Sequence, residues 1–177
     1  MAGPRRKLCF LEFALPGFGY ENELQPRRGW DDSWQIAAFT VPEVCERFFV
    51  GRERELLAWY FHRFADNPYA VSMDDFEVYV RTLQLPNALR AGMQYFAAVW
   101  DDTDDNREAA KTPLTMPVLA VGGERGIGPH VEESISRVAD DVRGVLLPGA
   151  GHWLTDERPD ELAGLLLDFF THDDTGS

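Results

Sequence analysis

The chain has 177 residues, 45% of them hydrophobic and 27% charged, which is enough for one domain with a buried core and excludes a wholly disordered or collagen-like chain. Seventeen Lys and Arg stand against 30 Asp and Glu, a formal net charge of −13. A surface that negative repels phosphate backbones and anionic lipid, so neither nucleic acid nor membrane is expected as a partner. The two cysteines, Cys9 and Cys45, lack paired metal-ligand spacing, so no metal site and no cofactor are expected, and the cytoplasm is the expected compartment.

Lys7-Leu-Cys-Phe-Leu-Glu12 is a near-continuous apolar run stopped by Leu15-Pro16-Gly17, the pattern of a strand buried on both faces in a parallel sheet. Residues 1–18 are read as this core strand. Residues 19–110 read as helical. Pro42 suits a first helical turn, Val44, Phe48, Leu56, Tyr60 and Phe64 supply apolar positions, and Gly51 separates two helices. Ser72 with Asp75 predicts a capped helix whose stripe is Met73, Phe76, Val80 and Leu83. Pro86 is expected to open another, striped by Leu89, Met93, Phe96 and Trp100. The acidic cluster Asp101, Asp102, Asp104 and Asp105 lacks the glycine and terminal glutamate of a calcium loop and reads as a solvated connector.

Residues 111–177 alternate again. Met116–Val121 is a buried strand running into Gly122-Gly123, residues 131–141 form a polar helix, residues 144–147 a short strand, and Pro159 starts a helix with Leu162, Leu166 and Phe169 on one face. Strand–helix–strand–helix predicts an α/β fold with a parallel sheet.

Of the four histidines, His152 follows the last strand through Pro148-Gly149-Ala150-Gly151 and precedes a helix. In open α/β sheets the reactive crevice lies beyond the carboxyl ends of the strands, which is where a general base belongs. His62 and His130 read as surface or packing residues, and His172 as tail.

Gly149-Ala-Gly-His-Trp-Leu154 followed by Glu157-Arg-Pro-Asp-Glu161 resembles the catalytic-histidine segment of α/β-hydrolases. Phe10-Leu-Glu-Phe-Ala-Leu-Pro-Gly17, the aromatic-rich helical stretch and Met116-Pro-Val-Leu-Ala-Val-Gly-Gly123 resemble epoxide hydrolases and their haloalkane and fluoroacetate dehalogenase relatives. The resemblance implies the C-terminal part of an α/β-hydrolase sheet, with residues 19–110 as a helical cap. It also implies a carboxylate partner for His152. Glu12 and Glu124 both end strands, and Glu12 matches the family pattern better. Trp34, Tyr95 and Phe96 fall where cap residues of the family meet substrate. Phe96 cannot donate a proton to an epoxide oxygen, and Tyr95 lies off the apolar stripe that Phe96 shares.

Hydrolases of this fold carry nucleophile, acid and histidine in that order. No Gly-x-Ser-x-Gly or aspartate equivalent occurs in the 177 residues, and no His-Gly segment for an oxyanion hole. The expectation is an N-terminally truncated, epoxide hydrolase-like chain that is inactive alone. Its parent would act on a small apolar electrophile, an epoxide or haloalkane, through an alkyl-enzyme ester hydrolysed by His152-activated water. The alternatives are a dehalogenase-like hydrolase, a non-catalytic binder of apolar ligands, and an interaction protein that self-associates through an unpaired sheet edge at Lys7–Glu12.

Overall fold

The computed structural model describes residues 6–24 and 34–171, which divide into two compact units. One contains the described residues up to Ala14, Phe64–Ala70 and those from Ala110 onward; the other contains Leu15–Arg63 and Val71–Ala109 apart from residues 25–33. The sequence drew the helical stretch as unbroken from 19 to 110, whereas the structure returns 64–70 to the sheet-bearing unit. The reason is backbone bonding: the Glu157 carboxylate accepts the Asp66 and Asn67 N–H groups, and the Phe64 carbonyl accepts that of His152.

Among the described residues, the sheet-bearing unit holds three parallel strands in the order β1 (Leu8–Leu11), β2 (Val118–Gly123), β3 (Val142–Leu147). Leu8 is in register with Val118, and Val118 with Val142. Every residue of β2 is buried, as expected of an uninterrupted apolar strand between two neighbours. The same burial was expected of β1, but β1 is half-buried along its length, because among the described residues it has a strand on one side only.

The predicted 131–141 helix is cut to one and a half turns, α7 (His130–Ile135). After it the buried Ala139 bridges Leu114, with the Leu114 N–H donated to the Val138 carbonyl and the Asp140 N–H to the Leu114 carbonyl. A four-residue helix, α8 (Leu154–Glu157), follows the histidine loop and was not anticipated. The last helix, α9 (Pro159–Thr171), begins at the proline that fits a first helical position. Leu162 and Phe169 of α9 join Leu119, Val121, Leu147, Ala150 and Leu154 in one apolar core, with Leu166 at its edge.

The helical unit consists of a 3₁₀ turn at Tyr20–Leu24 and the helices α1 (Trp34–Phe39), α2 (Pro42–Phe49), α3 (Glu53–Phe64), α4 (Met73–Leu83), α5 (Ala88–Ala97) and α6 (Val99–Ala109). Its core is Phe39, Cys45, Leu56, Leu89 and Met93. Val44 and Phe48 were expected to point inward, but α2 turns Cys45 into the core and leaves Phe48 65% exposed. The Ser72 hydroxyl caps α4 by accepting the Asp75 N–H at 3.1 Å, and Val80 is buried, while Met73 in the first turn is exposed.

Pro86 does not open α5: the helix starts two residues later, after Asn87 in the left-handed region with φ 63°. It stops at Ala97, and the break at Ala98 shifts the phase of α6, so Trp100 leaves the Leu89–Met93 stripe and stands 58% exposed. The acidic cluster is solvated as expected, but it lies on α6 around the buried Thr103 instead of forming a loop.

Candidate active site

The carboxyl ends of β1 and β3 deliver the two residues singled out first. Directly after β1, Glu12 adopts φ +41°, a left-handed conformation that costs a non-glycine residue about 1–2 kcal/mol. The turn brings its side chain back beneath the ends of the strands, where the residue is only 5% exposed. Its Oε2 accepts the Gly123 N–H at 2.6 Å and its Oε1 the Ile127 N–H at 2.5 Å. A buried carboxylate needs such charge-assisted bonds to offset its lost hydration. Gly126 makes room for this, since a Cβ there would collide with the Glu12 carboxylate.

His152 stands in the loop after β3. Its Nδ1 lies 3.7 Å from Glu12 Oε1, within ion-pair range and beyond a direct hydrogen bond, and its side chain remains one-third exposed. The ring meets Trp153 edge-on at 4.8 Å and Phe64 at 6.4 Å between centroids. With the carboxylate on the Nδ1 side, the arrangement favours the tautomer that carries its proton on Nδ1 and leaves Nε2 able to accept one.

The other strand-end acid occupies a different place. Glu124 is exposed, and its Oε2 accepts the Gly149 N–H at 3.0 Å, which ties it to the backbone ahead of His152. Among the remaining histidines, His62 is exposed on α3, the exposed His130 pairs with Glu133 at 2.7 Å, and His172 lies outside the described residues.

Glu157, within the motif that follows His152, has no role that the sequence assigns. It is 6% exposed, and its carboxylate accepts four backbone N–H groups, those of Gly151, Trp153, Asp66 and Asn67. The one signal in the sequence was an acid placed just before Pro159, where helix α8 has to end.

In the helical unit, Trp34 opens α1 with its ring 5.5 Å from that of Trp59. Both line an apolar cavity of about 530 Å³ together with Cys45, Phe48, Phe49 and Leu56. Phe96 packs edge-on against Phe39 at 5.1 Å, while Tyr95 is 83% exposed, as its offset from the stripe implied. Both cysteines are free thiols. Burial pushes Cys9 up to about 11 and raises Cys45 too, whose thiol donates to the Ala38 carbonyl.

No family model matches the chain. The soluble epoxide hydrolase of Corynebacterium sp. (strain C12) is 32% identical over 104 residues, 59% of this chain and 36% of that protein. The crystal structure of wild-type Cfl2 from Burkholderia cenocepacia superposes with a TM-score of 0.85 at 34% identity, over 93% of this chain and 56% of that one. The epoxide hydrolase CorEH, without ligand, gives a TM-score of 0.64 at 24% identity over 93% of this chain and 59% of that one, a likeness of fold. The chain spans little more than half the length of these two structures. The described residues, three parallel strands with six α-helices between the first and the second, have the α/β-hydrolase fold, and the chain's curated sequence relatives are epoxide hydrolases.

Proposed function

We propose that Glu12 and His152 are the acid and base of an epoxide hydrolase-like enzyme, in which His152 Nε2 takes a proton from the water that hydrolyses an alkyl-enzyme ester. The observation that carries this reading is the meeting of the two side chains, 140 positions apart in sequence, at 3.7 Å beyond the ends of β1 and β3. Glu12 would hold the imidazole in the working tautomer and stabilise the imidazolium formed as water attacks. Glu124, bonded to the loop backbone, is the weaker candidate for that role. The nucleophilic carboxylate that forms the ester is assigned to a segment not contained in the 177 residues, so the chain alone is expected to show no turnover.

The helical unit is assigned the part of a cap. Trp34, beside an apolar cavity, is its best-supported contact for a small apolar epoxide. Tyr95 carries the only phenol of the two neighbouring candidates, while Phe96 serves packing. The lack of a proton donor at Phe96 keeps a carbon–halogen substrate as the alternative, since leaving halide needs no proton. The cavity by itself also suits a non-catalytic apolar-ligand binder. The cytoplasm is the proposed compartment, consistent with two free thiols.

The test joins the chain behind the nucleophile-bearing half of a related α/β-hydrolase and follows the trapped ester by mass spectrometry in a single turnover with an epoxide. Ester formation should persist in Glu12→Gln while its hydrolysis slows, by up to about 10⁴-fold. His152→Ala should accumulate ester outright, and Glu124→Gln should change little. Accumulation with Glu124→Gln but not with Glu12→Gln would transfer the acid role to Glu124, and turnover surviving His152→Ala would remove the mechanism.

A further inference from the structure

We propose that Glu157 is the positioning residue of this site: its buried carboxylate clamps the backbone on both sides of His152 to the 66–67 segment and so fixes where the imidazole stands. The proposal rests on reading His152 as the base, and it adds a third acid that neither the motif order nor the strand-end rule points to.

The geometry is closed on every side. Glu157 Oε1 accepts the Gly151 N–H at 3.0 Å and the Trp153 N–H at 3.2 Å, the two amides flanking the histidine. Oε2 accepts the Asp66 N–H at 2.7 Å and the Asn67 N–H at 2.9 Å. The amide of His152 itself is donated to the Phe64 carbonyl at 2.8 Å. Three successive loop amides are thereby fixed, two by one oxygen of Glu157 and the third by the segment that its other oxygen holds. Loop and segment touch backbone to backbone, since a Cβ on Gly151 would strike the Phe64 carbonyl.

Helix α8 explains the reach. It is four residues long, and a helical side chain leans toward the N-terminus of its helix, so a glutamate at the last position is directed back over the amide of Trp153. Bonds from amides to an ionised carboxylate are roughly twice as strong as neutral ones. Glutamine in its place keeps one carbonyl oxygen but turns an NH₂ toward two N–H donors, which leaves those amides without an acceptor.

The test needs no turnover, so its outcome is independent of whether His152 proves to be the base. In the native chain, the Cε1–H resonance of His152 reports the imidazole's position through the ring currents of Trp153 and Phe64. Glu157→Gln should shift that resonance and speed hydrogen exchange at one pair of the four amides at least about tenfold, the equivalent of about 1.4 kcal/mol. Glu157→Asp, which keeps the charge but shortens the reach, should move the resonance less. A folded Glu157→Gln chain whose His152 resonance stays in place, whatever its melting temperature, would reduce Glu157 to a structural residue and overturn the proposal. If Glu157→Gln does not fold, Glu157→Asp is read by the same criterion. Exchange of the Asp66 and Asn67 amides at open-loop rates in the native chain would overturn it without any variant.

Discussion

A left-handed backbone at a glutamate persists only where its side chain is over-determined, and Glu12 meets that condition twice, through the Gly123 and Ile127 amides. Gly126 is the third constraint, because the space its missing side chain leaves is filled by the Glu12 carboxylate. Gly126→Ala should therefore displace the carboxylate and cost about 1–3 kcal/mol, the usual range for overpacking a filled site. Urea unfolding monitored by circular dichroism would measure this, and a variant as stable as the native chain would mean that the carboxylate is not held tightly against residue 126. The positions of Glu12, next after β1, and of His152, in the loop beyond β3, were legible from the strand-end rule, but that rule fits Glu124 equally and only the family resemblance separates the two acids. Glu157 was not legible, because its partners at Asp66 and Asn67 come from about 90 residues earlier and bind through backbone amides, which leave no side-chain pattern to read.

At the scale of elements, periodicity located the helices but did not always choose their inner faces. The α2 sequence offers Val44, Cys45, Phe48 and Phe49, two adjacent pairs that give similar apolar stripes, and packing against Leu89 and Met93 settles on Cys45. The α5 stripe failed only at Trp100, because a break at Ala98 cannot be seen in a run of Ala-Ala-Val that favours helix throughout. The same unit carries two tyrosines with raised hydroxyls, Tyr20 in its first turn and Tyr60 on α3. Burial, reinforced by its own charge repulsion with Tyr60, raises the Tyr20 hydroxyl, and burial pushes Tyr60 up to about 12. A phenol whose folded value lies above its unfolded value of about 10 binds its proton more tightly in the folded chain, so its contribution is complete below pH 10 and is lost as the pH rises toward 12. For Tyr60 the loss by pH 12 should be about 2–3 kcal/mol. Denaturant midpoints measured from pH 9 to 12 should fall in the native chain and fall less steeply in Tyr60→Phe, and equal slopes would show that Tyr60 ionises freely in the fold.

Across the whole molecule, an open apolar edge and a strong negative charge act in opposite directions. Among the described residues β1 pairs with β2 alone, so the outer backbone groups of Leu8–Leu11 have no strand beside them, and an edge of this kind is a template for another strand. The Leu-Cys-Phe-Leu sequence carries none of the inward charges or prolines that usually guard an edge. A net charge of −13 on each copy opposes the approach of a second one, and that repulsion reaches about 30 Å at 0.01 M salt but only about 8 Å at 0.15 M. Self-association of the chain should therefore strengthen as salt is added, the reverse of what an interface held by ion pairs would do. Light scattering on a size-exclusion column at low and at moderate ionic strength, over a tenfold range of concentration, should show the mean mass rising with both. Phe10→Lys, which puts a like charge from each copy at the shared edge, should restore the monomer mass. A concentration-independent monomer at both salt levels would mean that the β1 edge is already covered in the isolated chain.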